Sequence, residues 1–235
     1  MFKGVLLRLL KPTLEIRSSE AQYGFREGRS TEDAITRLYT ITEEAEERYV
    51  MAIFVDIHSA FDSLWWPALM AELKQRDCPR NLYLIIKDYL TRRVVMMEDG
   101  YHIVERQAKR GCPQGSVLGP KFWNLVMDGL LRQLEELPST QAIAYADDLV
   151  ILIPGNSRRA LEERGVAAMA ILESWASSNK LTVSERKTVG MLLKGALHHR
   201  RPPAIPTAGG NLRFRESVRY LGVILQGGVS RLMTT

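Results

Sequence analysis

The sequence is poor in the residues that would build a disulfide or zinc scaffold. It holds two cysteines and four histidines among 235 residues. Cys78 and Cys112 stand far apart, and neither has a second Cys or a His at zinc-ligand spacing. A disulfide framework and a metal knuckle are therefore both excluded as the organising principle. Long hydrophobic runs are missing too, for no stretch approaches the roughly eighteen apolar residues that a helical membrane span needs. The segment from Met1 to Leu10 is too short and too poor in small cleavage-type residues for a signal peptide. No internal repeat and no low-complexity linker interrupts the chain. These absences give the expectation of a soluble intracellular chain with free thiols and no membrane partner.

What is present is ordinary for a globular protein. The chain is 46% hydrophobic and 25% charged, enough for one sizeable core, or one core with an appendage. The net charge of +5 is unevenly spread. Between Arg186 and Arg219 the eight basic residues Arg186, Lys187, Lys194, Arg200, Arg201, Arg213, Arg215 and Arg219 face the single acid Glu216. Such a block suits a polyanionic partner, although a solvated basic surface would look the same from charge alone.

Periodicity gives the order of elements. Phe2 to Ile16 has apolar residues at helical intervals (Val5, Leu6, Leu9, Leu10), but Pro12 predicts a short helix. Ser30 opens a second helix with Asp33 as a weakened capping box, and Ala34, Leu38, Ile41 and Ala45 share a face. Met51 to Val55 is an apolar run that reads as a buried strand ending at Asp56. Helices follow over Pro67 to Gln75 and Asn81 to Arg92, the latter with Leu82, Ile85, Ile86 and Tyr89 inward. Val94 to Met97 and Tyr101 to Val104 flank an Asp-Gly turn and predict a hairpin. A Gly-rich loop from Gly111 to Ser116 leads into a helix from Pro120 to about Leu137. Asn156 or Ser157 starts a long helix with Leu161, Ala168, Ile171, Leu172 and Trp175 on one face and Asn179 as its stop. Short strands close the order at Leu181 to Val183, Thr188 to Leu193 and Val218 to Leu225, with a loop over His198 to Pro203. Runs of helices against mostly antiparallel strands predict an α+β fold, with helices packed on one face of a small antiparallel sheet.

One further hairpin carries acid at its tip. Asp147 and Asp148 sit between the apolar runs Ile143 to Ala146 and Leu149 to Ile153. A solvated turn often carries Asp because Asp tolerates turn conformations. The reading changes if the strand ending at Asp56 lies beside this hairpin, because carboxylates so close need a cation to stay ionised. A pair of Mg²⁺ ions, or Mn²⁺ in their stead, fits oxygen ligands that leave positions for water and phosphates. That is the donor set of a two-metal phosphoryl-transfer site.

Three stretches carry a resemblance. Phe54-Val55-Asp56-Ile57-His58-Ser59-Ala60-Phe61-Asp62, then Gly111-Cys112-Pro113-Gln114-Gly115-Ser116, then Tyr145-Ala146-Asp147-Asp148 resemble the successive palm motifs of reverse transcriptases. Gln22-Tyr23-Gly24-Phe25-Arg26, Lys187-Thr188 and Tyr220-Leu221-Gly222-Val223 resemble flanking motifs of the non-LTR (LINE-type) retrotransposon branch. The tandem Trp65-Trp66-Pro67 leans toward the arthropod rDNA-inserting kind. The resemblance runs from about Phe2 to Leu225.

It implies a right-hand polymerase palm over 51–225, with finger-side helices and a hairpin around 66–110. Partial fingers would span 1–50 and the start of the thumb connection 226–235, with the thumb itself absent. The implied activity is RNA-directed DNA polymerisation on an RNA template, with a DNA primer and deoxynucleotides, and the implied site of action is the nucleus. By the resemblance, Asp56 and Asp147 bind two Mg²⁺ ions, with the Ile57 carbonyl and Asp148 in support. Phe61 is the steric gate against a ribose 2′-hydroxyl, and an ordinary core Phe is its alternative. Gln114 and Gly115 line the nucleotide, Lys187 protonates pyrophosphate, and Tyr220, Leu221 and Gly222 form a primer grip. Arg26 and Arg29 meet nucleic-acid phosphates. Members of this branch carry an endonuclease and finger strands upstream, and a thumb and zinc knuckle downstream. The expectation is accordingly a piece truncated at both ends. The alternatives are an inactive mobile-element remnant that at most binds nucleic acid, and an intron-encoded maturase.

Overall fold

The computed structural model describes residues 2–15, 18–100, 102–112, 115–197 and 201–228. Helices α1 (Phe2–Glu15) and α2 (Thr31–Glu44) lead to strand β1 (Tyr49–Val55). Then come α3 (Ala60–Ser63), α4 (Trp66–Gln75), α5 (Arg80–Thr91) and the hairpin β2 (Val94–Asp99) and β3 (His102–Gln107). Helix α6 (Gly119–Glu135) precedes β4 (Gln141–Tyr145), β5 (Asp148–Gly155) and α7 (Arg158–Ser178). The remainder is β6 (Val189–Lys194), β7 (Pro206–Thr207), β8 (Gly210–Asn211), β9 (Arg213–Phe214), β10 (Ser217–Tyr220) and β11 (Val223–Gln226).

The central sheet has the order β4-β5-β1-β6-β9. Every residue of β1 is buried, because β5 and β6 flank it and both of its faces are covered. Met51, Ile53 and Val55 point into the larger core, with Leu6, Leu10, Leu69, Ile86, Trp123 and Leu172 from the helices. Val50, Ala52 and Phe54 point into a second core, with Ala34, Ile35, Leu38 and Ile41 of α2 and with Tyr220 and Leu225. Alternation at a period of two thus divides one continuous apolar run between two cores. Helices on one face describes α1 and α3 to α7. The other face is closed by α2 and by the β10–β11 hairpin.

Local signals account for most element ends. Ser30 and Asp33 form a full capping box, with the Asp33 N–H 3.1 Å from Ser30 Oγ and the Ser30 N–H 2.7 Å from Asp33 Oδ2. Ser157 caps α7, Asn179 closes it, and prolines sit in the first turns of α4 and α6.

Four expectations are corrected. Helix α1 runs through Pro12, which removes one backbone bond near its end while Leu6, Leu10 and Thr13 are buried against the body; Val5 and Leu9 stay exposed. The inward face of α5 is Leu82, Ile86 and Leu90, spaced by four, and Ile85 faces solvent. Leu181 to Val183 contributes only an isolated bridge, Ile57 to Val183. Val218 to Leu225 is a hairpin that turns at Leu221 and Gly222, and β9 adds a parallel pair to an otherwise antiparallel sheet. Among the described residues no helix is long and apolar enough to cross a membrane. Tyr101, His198 and Arg200 lie outside the described residues.

Candidate active site

The pairing of β1 with β5 creates the site. Its register ends at Val55 opposite Leu149, so the next residue along β1, Asp56, comes alongside Asp148. In the β4–β5 hairpin Tyr145 pairs with Asp148, which leaves Ala146 and Asp147 as the two-residue loop. Two strands more than ninety positions apart in sequence therefore bring three carboxylates to one edge of the sheet.

Asp56 is fixed through its backbone. Its N–H donates to Thr188 Oγ1 (3.3 Å), and its carbonyl accepts from the Ser184 N–H (2.8 Å). The His58 N–H donates to the Thr182 carbonyl (2.9 Å), so the bridge around Ile57 leaves that residue's own carbonyl out of its pattern. Lys187 ends the same turn, and its Nζ lies 3.5 Å from Asp56 Oδ2.

The electrostatics are those of a crowded acidic site. Burial raises the Asp147 carboxyl above its usual range, and the charge on Asp56 adds to that; a backbone hydrogen bond pulls the other way. Asp148 is open on its outer side, yet the protein atoms behind it raise its carboxyl as well, followed by the charges of Asp147 and Asp56. Among the described residues no three His, Cys, Asp or Glu side chains form a ready-made metal cage. A hard cation does not need one, since Mg²⁺ is held by one or two carboxylates and completes its shell with water and phosphate. The oxygen-only donors and their mutual repulsion fit such a cation.

The tip of the hairpin is held from behind. Ala146 has φ 61°, a left-handed conformation that costs a non-glycine residue about 1 kcal/mol or more. Its carbonyl accepts from Trp123 Nε1 (2.9 Å) and Gln22 Nε2 (3.4 Å), and its N–H donates to Gln22 Oε1 (3.2 Å). Gly24 lies against the same turn, where an added Cβ would fall 2.1 Å from the Ala146 nitrogen. The Phe61 ring is half-buried between Phe25 (centroids 5.9 Å apart, edge-on) and Trp123 (5.6 Å). Gln22, Trp123 and Thr188 have no role in the sequence reading. Gln22 and Thr188 stand inside flanking motifs, but nothing local links any of the three to the acids.

The other expected residues sit as follows. Gly115 is exposed with φ 71° and open space where a Cβ would stand, so its conformation and not crowding calls for glycine. Gln114 lies outside the described residues. The Arg26 guanidinium is bonded to the Ser19 carbonyl (2.7 Å), the Gln22 carbonyl (3.3 Å) and Glu20 (3.0 Å). Arg29 pairs with Glu20 and stacks on Tyr23, 4.6 Å from the ring centroid. Both arginines therefore tie their own loop together. Leu221 and Gly222 form a turn with φ 46° and 88°. Tyr220 packs on Phe54 (5.5 Å), and its hydroxyl is buried without a hydrogen-bond partner among the described residues. Burial, then the nearby charge of Asp148, raises that hydroxyl, so the hairpin lies next to the acids.

The chain resembles known proteins in sequence and in fold. The chain is 42% identical over 211 residues to a 115 kDa protein of the type-1 retrotransposable element R1DM of Drosophila melanogaster, covering 90% of this chain and 20% of that protein. It is 34% identical over 226 residues to the Pol polyprotein of element R1 of Bradysia coprophila, covering 96% of this chain and 22% of that one. The RNA-directed DNA polymerase of the mobile element jockey, also from Drosophila melanogaster, is 28% identical over 212 residues, covering 87% of this chain and 23% of that protein. The chain thus spans about a fifth of the length of these relatives. In fold it matches the telomerase of Candida albicans with a TM-score of 0.69 at 13% identity, over 98% of this chain and 37% of that one. The fold is thus α+β of the polymerase palm type. The sequence pattern of reverse transcriptase (RNA-dependent DNA polymerase) matches residues 4–225, and the chain belongs to that family.

Proposed function

We propose that the chain carries the catalytic centre of an RNA-directed DNA polymerase, which extends a DNA primer on an RNA template. The observation that carries this reading is the β1–β5 register, which sets Asp56 beside the Asp147–Asp148 tip with Phe61 and Lys187 around them. Asp56 and Asp147 hold two divalent cations, Mg²⁺ or Mn²⁺, with the Ile57 carbonyl and Asp148 in support. When bound, these cations activate the primer 3′-hydroxyl and neutralise the charge that develops on the phosphates.

The chain's own residues do the rest. Phe61 gates the sugar of the incoming deoxynucleotide, while Gly115 lines its other side. Lys187 stands beside Asp56 and supplies a proton to the departing pyrophosphate. Tyr220, Leu221 and Gly222 hold the primer end against the acids. Arg26 and Arg29 shape the loop that flanks the nucleic acid, and the basic segment around Arg213 meets its phosphates. In this reading residues 51–225 are the palm, 1–50 belong to the fingers and 226–235 lead toward a thumb. The site of action is the nucleus.

The test is primer extension by the purified chain on poly(A) with oligo(dT), thymidine triphosphate and Mg²⁺. Incorporation that stops on chelation and in Asp56→Asn supports the reading. Incorporation unchanged in Asp56→Asn refutes it, as does a complete lack of incorporation.

A further inference from the structure

We infer that Gln22 is a positioning residue for Asp147, acting through the backbone of Ala146; this rests on the polymerase reading above. The Gln22 side chain is buried, at 3% exposure. Its Oε1 accepts from two backbone donors, Ala146 N–H (3.2 Å) and Gly24 N–H (2.9 Å), which fixes the direction of the amide. Its Nε2 then faces the Ala146 carbonyl at 3.4 Å. The N–H and the carbonyl of Ala146 belong to the two peptide units on either side of one Cα. Holding both sets the left-handed turn, and the second unit supplies the nitrogen of Asp147.

The main chain around Gln22 is anchored for this task. Tyr23 N–H donates to the Ala144 carbonyl (2.7 Å) and Ala144 N–H to the Ala21 carbonyl (2.8 Å), so the segment lines the open edge of β4. Gly24 permits the approach, since any side chain there would strike the Ala146 nitrogen. Trp123 adds the second donor to the Ala146 carbonyl. A turn that Ala adopts unwillingly is thus held by three side-chain hydrogen bonds immediately before a catalytic carboxylate.

The test is Gln22→Met, which keeps length and volume and removes all three side-chain hydrogen bonds of Gln22, two of them to Ala146, alone and combined with Ala146→Gly. A glycine at position 146 adopts the left-handed turn without help. The expected result is a fall in kcat of about 10- to 100-fold with the KM for deoxynucleotide within about twofold, and recovery of at least about threefold in the double variant. Amide exchange followed by NMR should quicken at Ala146 while the β1 amides keep their protection. Trp123→Phe should show a smaller kcat loss with the same partial recovery, which serves if Gln22→Met does not fold. The inference is overturned if the kcat loss is equal in the Ala and Gly backgrounds, if the loss lies in KM, or if Ala146 exchange is unchanged. Should the parent chain not polymerise, the polymerase reading falls, and the exchange measurement alone decides whether Gln22 sets the turn.

Discussion

Two hairpins of this chain look alike in sequence and differ completely in structure. Both place acids between short apolar runs, Glu98 and Asp99 in one and Asp147 and Asp148 in the other. In β2–β3 every described residue of both strands is exposed, including Met96 at 67% and Met97 at 71%. In β4–β5 the second strand is buried from Leu149 to Gly155, because β1 pairs along its far edge. A neighbouring strand is what separates a solvated turn from one backed by the core and faced by a third carboxylate. It excludes water behind the acids, raises the carboxyls of Asp147 and Asp148, and supplies Asp56 as a partner.

The largest expected effect tests that contrast at the tips. Asp147→Asn should lower deoxynucleotide incorporation by at least about a thousandfold, equivalent to about 4 kcal/mol of transition-state stabilisation. Asp99→Asn should leave the rate within about twofold. Equal losses from both would mean that the exposed hairpin shares in the chemistry.

Next in size is the support beneath the β4–β5 hairpin. Arg76 and Asp128 form a buried ion pair, with side chains 2% and 4% exposed, and Asp128 Oδ1 also accepts from the Ser19 N–H at 2.5 Å. That bond holds the start of the loop that delivers Gln22. Asp128→Ala should destabilise the chain by roughly 3 kcal/mol, because it breaks a buried ion pair and removes the acceptor of the Ser19 N–H, while Glu72 stays near enough to Arg76 to compensate part of its charge. Met96→Ser on the exposed hairpin should change stability by less than about 0.5 kcal/mol. Denaturant midpoints compare the two.

A smaller effect concerns the sugar. Phe61 is wedged between Phe25 and Trp123, which leaves its ring little freedom to yield. Phe61→Val should narrow the preference for deoxyribonucleotides by about tenfold, and an unchanged ratio of incorporation efficiencies would remove the gate from the account.

The smallest effect is on stability against pH in the metal-free chain. Folding raises the Asp147 and Asp148 carboxyls, so the folded state binds more protons than the unfolded state between the ordinary and the raised range. Stability should therefore fall as pH rises through that window and stay lower above it. Asp148→Asn should melt higher than the parent at neutral pH, with a flatter dependence across the weakly acid range. A lower melting temperature would contradict the sign.

The sequence made the acids legible because a buried strand declares itself locally. Met51 to Val55 and Leu149 to Ile153 are apolar runs, the first followed and the second preceded by Asp, and an Asp at either end of such a run stands at the margin of the core. The capping residues Ser30 and Ser157 were legible for the same local reason. What could not be read depends on distant contacts. Gln22 meets Ala146 across 124 positions, and Arg26 turns back to its own loop. Pro12 stays helical because its neighbours are buried, and the exposure of β2–β3 could not be read because its strands resemble those of the buried hairpin in composition. Ile85 was misplaced for a simpler reason: a wide apolar stripe does not say which edge faces inward.

The central claim is that residues nearly a hundred positions apart hold metal together, and metal-directed cleavage tests it most directly. Fe²⁺ in place of Mg²⁺, with ascorbate and peroxide, generates radicals that cut the backbone beside the bound ion. The account predicts cuts near Asp56 and near Asp147 in the same chain, both suppressed by Mg²⁺ and both lost in Asp56→Asn. Cuts at only one of the two positions, or cuts that persist in Asp56→Asn, would contradict it.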